Sequence, residues 1–107
     1  MKKIKAHQIK PGMLINTGPK KYIHNYLSLI TAVSGVKNIE YTFFDYQDSY
    51  HGQFIGSIDR NKFVWLIEDK EIRKNVLKSI NDDLHRNFHD TKRNIDLIKL
   101  IQEMENK

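Results

Sequence analysis

Apolar positions in this chain recur with two different periods, and the change falls near residue 68. Between Tyr22 and Ile67 lie all five Tyr, the only Trp and four of the five Phe, interleaved with Leu27, Leu29, Ile30, Val33, Ile39, Ile55, Ile58, Val64, Leu66 and Ile67. β-branched and aromatic residues suit a pleated, half-buried surface, and Gly or Asn/Asp breaks cut the stretch into hairpin-sized pieces. Residues 22–33 read as a long strand, with Leu27, Leu29, Thr31 and Val33 on one face and Tyr26, Ser28, Ile30 and Ala32 on the other. Residues 39–47 read as a second, Ile39, Tyr41 and Phe43 alternating against Glu40, Thr42 and Phe44. Residues 53–58 and 62–67 form a last strand pair around Asp59-Arg60-Asn61. Phe63, Trp65 and Ile67 oppose Val64 and Leu66 there, so both faces are apolar, as when one face fills a barrel and the other lies under a helix or a partner.

Ahead of this stretch, residues 1–9 alternate Lys2/Ile4/Ala6 with Lys3/Lys5/His7, a short edge strand that its lysines guard against aggregation. Lys10-Pro11-Gly12 predicts a type II turn, since Pro presets φ at the second position and Gly accepts positive φ at the third. Residues 13–16 make a brief strand before Thr17-Gly18-Pro19. Beyond residue 68 the period becomes helical. Ile72, Val76, Leu77, Ile80, Leu84 and Phe88 recur at three- and four-residue spacings, with Glu68, Asp69 and Glu71 at the positive N-terminal end. The later set, Leu97, Ile98, Ile101 and Met104, is rotated on the helical wheel. With Asp90 or Thr91 as an N-cap, the region divides into helices over 68–87 and 91–105. Whether the second helix folds back or pairs with another chain, forming a homo-oligomer, stays open at this level.

The pattern therefore predicts an α+β fold: a small antiparallel β-barrel of about five strands over 1–67, followed by one or two C-terminal helices over 68–107. The chain of 107 residues, 39% hydrophobic and 29% charged, has the size and composition of one globular domain. No apolar run is long enough to span a bilayer, and the polar start lacks a signal-peptide core, so a cytoplasmic protein without membrane contact is expected. The absence of Cys excludes disulfides, thiolate metal sites and a Cys nucleophile.

The opening Ile9-Lys10-Pro11-Gly12-Met13-Leu14-Ile15-Asn16, followed by Gly18, Lys20, Lys21 and Tyr22, resembles the start of SH3-like translation-factor domains of the elongation factor P type. Those domains begin with a Gly-Met turn, a short strand, a Gly-containing turn and a Tyr-bearing strand. Gly56-Ser57-Ile58 before Phe63 is similar to the late strands of SH3-like barrels. The resemblance covers about the first quarter of the chain. The family's Gly- and Pro-rich lysine loop has no counterpart here, so the resemblance implies a barrel and carries over no functional residue.

Charge is distributed unevenly. Seven Lys and no acid precede Glu40, while eleven basic and ten acidic residues follow from Phe54 onward, so the net charge of +5 belongs to the N-terminal part. Such a field attracts nucleic acid or an acidic protein. Lys offers point charge for phosphates, where Arg offers the rigid fork used on base edges, so any nucleic-acid contact is expected to ignore sequence.

Candidate chemistry is sparse. His85 and His89 stand four apart, but Arg86 replaces the Glu of a zinc-protease helix and no closed ligand set is evident. Asp45, Asp48 and His51 share a predicted loop, where solvated polar residues are the ordinary case. No Gly-rich phosphate loop or nucleophile elbow is present. The sequence thus points to a non-catalytic protein without metal or cofactor. Phe43, Phe54 and Phe63 are expected in the core. Two binding functions remain. An adaptor or inhibitor would dock onto a partner protein, acidic if charge guides it, through its C-terminal helix and a barrel face bearing Tyr41, Phe44, Tyr46, Tyr50 and Trp65. A nucleic-acid-binding barrel would contact phosphates through Lys10, Lys20, Lys21, Lys37, Arg60 and Lys62. Protein docking is the first expectation.

Overall fold

The computed structural model describes residues 2–17, 27–46, 52–86 and 91–105. Six strands, β1 (Lys2–Lys5), β2 (Leu14–Asn16), β3 (Leu27–Ser34), β4 (Asn38–Asp45), β5 (Phe54–Asp59) and β6 (Phe63–Leu66), precede two helices, α1 (Lys70–Arg86) and α2 (Thr91–Glu105). The strands form one antiparallel sheet in the order β1-β6-β2-β3-β4-β5. The α+β class holds. The closed barrel of about five strands does not: the described residues form six strands, and β1 and β5 remain as edges.

The expected pairing of the last two strands is also corrected. β5 pairs with β4, whereas β6 lies between β1 and β2. β6 is an interior strand of the ladder, yet its faces are unequally covered: Val64 is buried, Phe63 is exposed, and Trp65 and Leu66 are half-buried. The short link between β5 and β6 then dictates curvature. Asp59 and Phe63 are four residues apart and span at most roughly 14 Å. In a flat sheet their strands would be four spacings, roughly 19 Å, apart. The sheet therefore curls, and its two ends approach one another without pairing.

Curling creates two cores. On the concave side, Ile4, Ala6, Ile9, Ile15, Ile30, Ile39, Tyr41 and Val64 pack together with Phe43, Ile58 and Leu66. Residues from β1, β4, β5 and β6 meet in this cluster although β1 and β5 are the sheet's opposite edges. On the other side, Leu14, Leu27, Leu29, Phe44 and Ile67 pack under α1 and α2 through Val76, Leu77, Ile80, Leu84, Ile101 and Met104. Helices of 17 and 15 residues are marginal by themselves in water, so this packing is what holds them.

The turns form for local reasons. Met13 N–H donates to Lys10 O at 3.2 Å with Gly12 at φ +91°, the type II geometry read from Lys10-Pro11-Gly12. Asp69 starts α1 as its N-cap, its Oδ1 accepting Glu71 N–H at 2.9 Å and Ile72 N–H at 3.1 Å. In β3 the register slips between Ile30 and Ala32, and the Thr31 hydroxyl donates to Thr42 O at 3.1 Å. This bulge corrects the expected faces of the strand. Leu27 and Leu29 face the helices, but one extra residue turns Val33 toward the concave core. Among the described residues no helix is long and apolar enough to cross a membrane.

Candidate functional site

Three chain segments meet where the curled sheet brings its ends together. The β5–β6 turn is fixed by Asp59, whose Oδ1 accepts Asn61 N–H at 2.8 Å and whose carbonyl accepts Lys62 N–H at 3.0 Å. Short polar side chains that bond the backbone two residues on favour such turns. The β3–β4 turn joins it, because Arg60 N–H donates to Lys37 O at 3.3 Å and Arg60 Nη1 to Val36 O at 3.5 Å. The 3₁₀ turn after β1 closes from the other side: Ala6 N–H donates to Lys62 O at 2.8 Å, and His7 N–H to Arg60 O at 3.2 Å.

Apart from Asp59 Oδ1 and Arg60 Nη1, the groups in these bonds belong to the backbone. Lys5, His7, Lys37, Arg60 and Lys62 are all exposed around this corner. The carboxylate within the β5–β6 turn, Asp59, already serves the turn. Exposed charges are screened over about 8–10 Å at ordinary ionic strength, so cations must be near neighbours to act on one ligand. Here the backbone ladder makes them so.

The corner runs on into the outer edge of the sheet. In the β1–β6 ladder Lys5 lies opposite Phe63 and Lys3 opposite Trp65. Directly opposed residues share a face, so two lysines and two aromatics stand side by side. Lys3 Nζ sits 4.5 Å from the Phe63 ring centroid and Lys5 Nζ 5.9 Å from it. Phe63 is 54% exposed despite its size. It was expected in the core, as was Phe54, which is also exposed. β6 is covered on its concave side through Val64, and Ile67, just past its end, packs under the helices.

The residues expected to bind phosphates are thus partly assembled. Lys37, Arg60 and Lys62 come together. Lys10 lies apart, on a cleft of about 410 Å³ shared with Met13, Arg73 and Met104. Lys20 and Lys21 lie outside the described residues, as does Tyr50. Lys3, Lys5 and Phe63 join the site only through the β1–β6 register, which nothing in the local sequence specifies.

The residues expected to form an exposed protein contact are divided between the two cores. Tyr41 is buried in the concave cluster, 5.4 Å from Phe43 between ring centroids, and burial pushes its phenol pKa up. Phe44 is fully buried under the helices, and half-buried Tyr46 packs against the same cluster. Tyr41 and Phe44 are corrected from exposed to core residues because both faces of β4 are covered. Trp65 is half-buried beside Lys3. Of the other candidate groups, His85 is exposed in the last turn of α1 and Asp45 ends β4, while Asp48, His51 and His89 lie outside the described residues. No group of three His, Cys, Asp or Glu side chains among the described residues is placed to hold a metal ion.

No protein-family model, curated protein or solved structure matches this chain.

Proposed function

We propose that this protein is a non-catalytic nucleic-acid-binding module that holds the phosphate backbone, without sequence preference, at its basic corner. The observation that carries this reading is the run of backbone bonds that joins Lys37 to Arg60, Arg60 to His7 and Lys62 to Ala6, bringing exposed cations from two turns together beside the end of β1. Clustered exposed cations with one Arg among them suit phosphate contact more than base-edge recognition. Docking onto a protein through the C-terminal helix has less support. The apolar side of α2 is engaged within the chain by Ile101 and Met104, and Tyr41 and Phe44 are committed to the cores. An SH3-like reading of the fold is supported by the turn at Gly12 leading into the short strand Leu14–Asn16.

The test is fluorescence anisotropy with a labelled oligonucleotide across a salt series. Engaging four to five phosphates gives a log–log salt slope of about −2.8 to −3.5 on a single strand and about −3.6 to −4.5 on a duplex. Replacing Lys37, Arg60 and Lys62 together by Glu abolishes binding while circular dichroism stays unchanged. Undiminished binding by that folded variant, or a flat salt response, overturns the proposal.

A further inference from the structure

The β1–β6 edge adds to the corner an ordered pair of rows: Lys3 and Lys5 on β1, and Trp65 and Phe63 opposite them on β6. We infer that this edge binds single-stranded nucleic acid, with the phosphates following the lysine row and a base stacking on Phe63. The inference rests on the phosphate-binding reading above and specifies its ligand.

Base accessibility favours a single strand. In a duplex, neighbouring bases lie about 3.4 Å apart along the axis and their faces are hidden within the stack. A single strand turns its bases outward, where every base has a π-face to offer.

The free protein is arranged for exchange at this ring. Lys3 Nζ, 4.5 Å from the Phe63 centroid, covers an aromatic surface that water would otherwise wet. Moving the ammonium onto a phosphate keeps its charge paired and uncovers the ring for a base. Lys5, 5.9 Å from the same centroid, is placed for the neighbouring phosphate. The half-buried Trp65 stands one rung further along and reports on occupancy through its fluorescence.

The experiment compares a dT12 strand, a 12-base-pair duplex and a 12-unit abasic phosphate backbone, each titrated against the parent chain and Phe63→Leu at one salt concentration. The expected order is dT12 tightest, with Trp65 emission quenched. Phe63→Leu weakens dT12 roughly tenfold, within the range for one lost stacked base. It leaves the duplex and the abasic backbone unchanged. Equal affinity for strand and duplex, or equal binding of dT12 by parent and folded Phe63→Leu, overturns stacking while leaving phosphate contact intact. Failure of all three probes to bind overturns both proposals.

Discussion

The ring of Tyr41 lies directly on Gly56: a Cβ at position 56 would fall 2.5 Å from Tyr41 Cζ and 2.7 Å from its hydroxyl oxygen. The two residues face each other in the β4–β5 register. A glycine inside a strand usually weakens it, and here it marks where an aromatic side chain crosses the neighbouring strand. Gly56→Ala is expected to lower stability by about 1–3 kcal/mol, the ordinary cost of forcing volume into a packed site. In a Tyr41→Leu background the same change should cost much less, because the two positions are in contact. Denaturant unfolding of the four proteins measures the coupling, and additive costs would refute the contact.

Burial of the Tyr41 phenol gives stability a pH dependence with a definite sign. The folded chain holds this proton above the ordinary phenol pKa of about 10, where the unfolded chain releases it. Above that pH the native state binds more protons than the unfolded state, so stability falls as pH rises toward the folded pKa. Below pH about 10 the group contributes no slope. Tyr41→Phe should therefore lose less stability between pH 9.5 and 11 than the parent does. Parallel curves would show that the phenol is not buried.

Arg73 ties the turn at Gly12 to α2. Its Nη1 donates to Gly12 O at 2.6 Å and its Nη2 to Met104 O at 3.4 Å. The planar fork reaches the two carbonyls from two separate nitrogens, a fixed geometry that the single nitrogen of a shorter-reaching lysine does not reproduce. Arg73→Lys should cost about 1.5–3 kcal/mol, the range for hydrogen bonds to charged groups. Hydrogen exchange should accelerate at residues 100–104 of α2. Unchanged exchange there would mean that α2 is held by its apolar contacts alone.

Asp69 closes the first turn of α1 through two backbone N–H groups. Asp69→Ala should lower stability by about 1 kcal/mol, and Asp69→Asn or Ser should recover most of it. A thermal shift series distinguishes a capping role from a general charge effect, since Asn restores the bond without the charge.

The helices and most strand positions were legible because their signals are local. The turn at Gly12, the start of α2 at Thr91, and α1 to within two residues all follow from capping, turn chemistry and period. What escaped is what depends on tertiary structure. Alternation in β4 separates Tyr41 from Phe44 correctly but cannot say that both faces are covered, so Phe44 reads as a surface residue. The bulge at Thr31 adds one residue and reverses the face of Val33, which strict alternation cannot anticipate. Phe63 has the size of a core residue, and only the tertiary structure reveals that it is exposed beside the lysines of β1. The basic corner was legible as charge, in Lys37, Arg60 and Lys62, but its assembly depends on a sheet curled enough for the β5–β6 link to close.

The position of β1 also bears on how the protein is made. β3, β4 and β5 are consecutive neighbours and can pair as soon as they are synthesised, whereas Lys2–Lys5 must wait for Phe63–Leu66, some sixty residues later. Contacts of such long sequence separation form slowly, after loop-closure entropy has been overcome. During synthesis the lysine-rich β1 should therefore stay unpaired while the meander of β3, β4 and β5 forms. The sheet should be complete only when β6 leaves the ribosome and settles between β1 and β2.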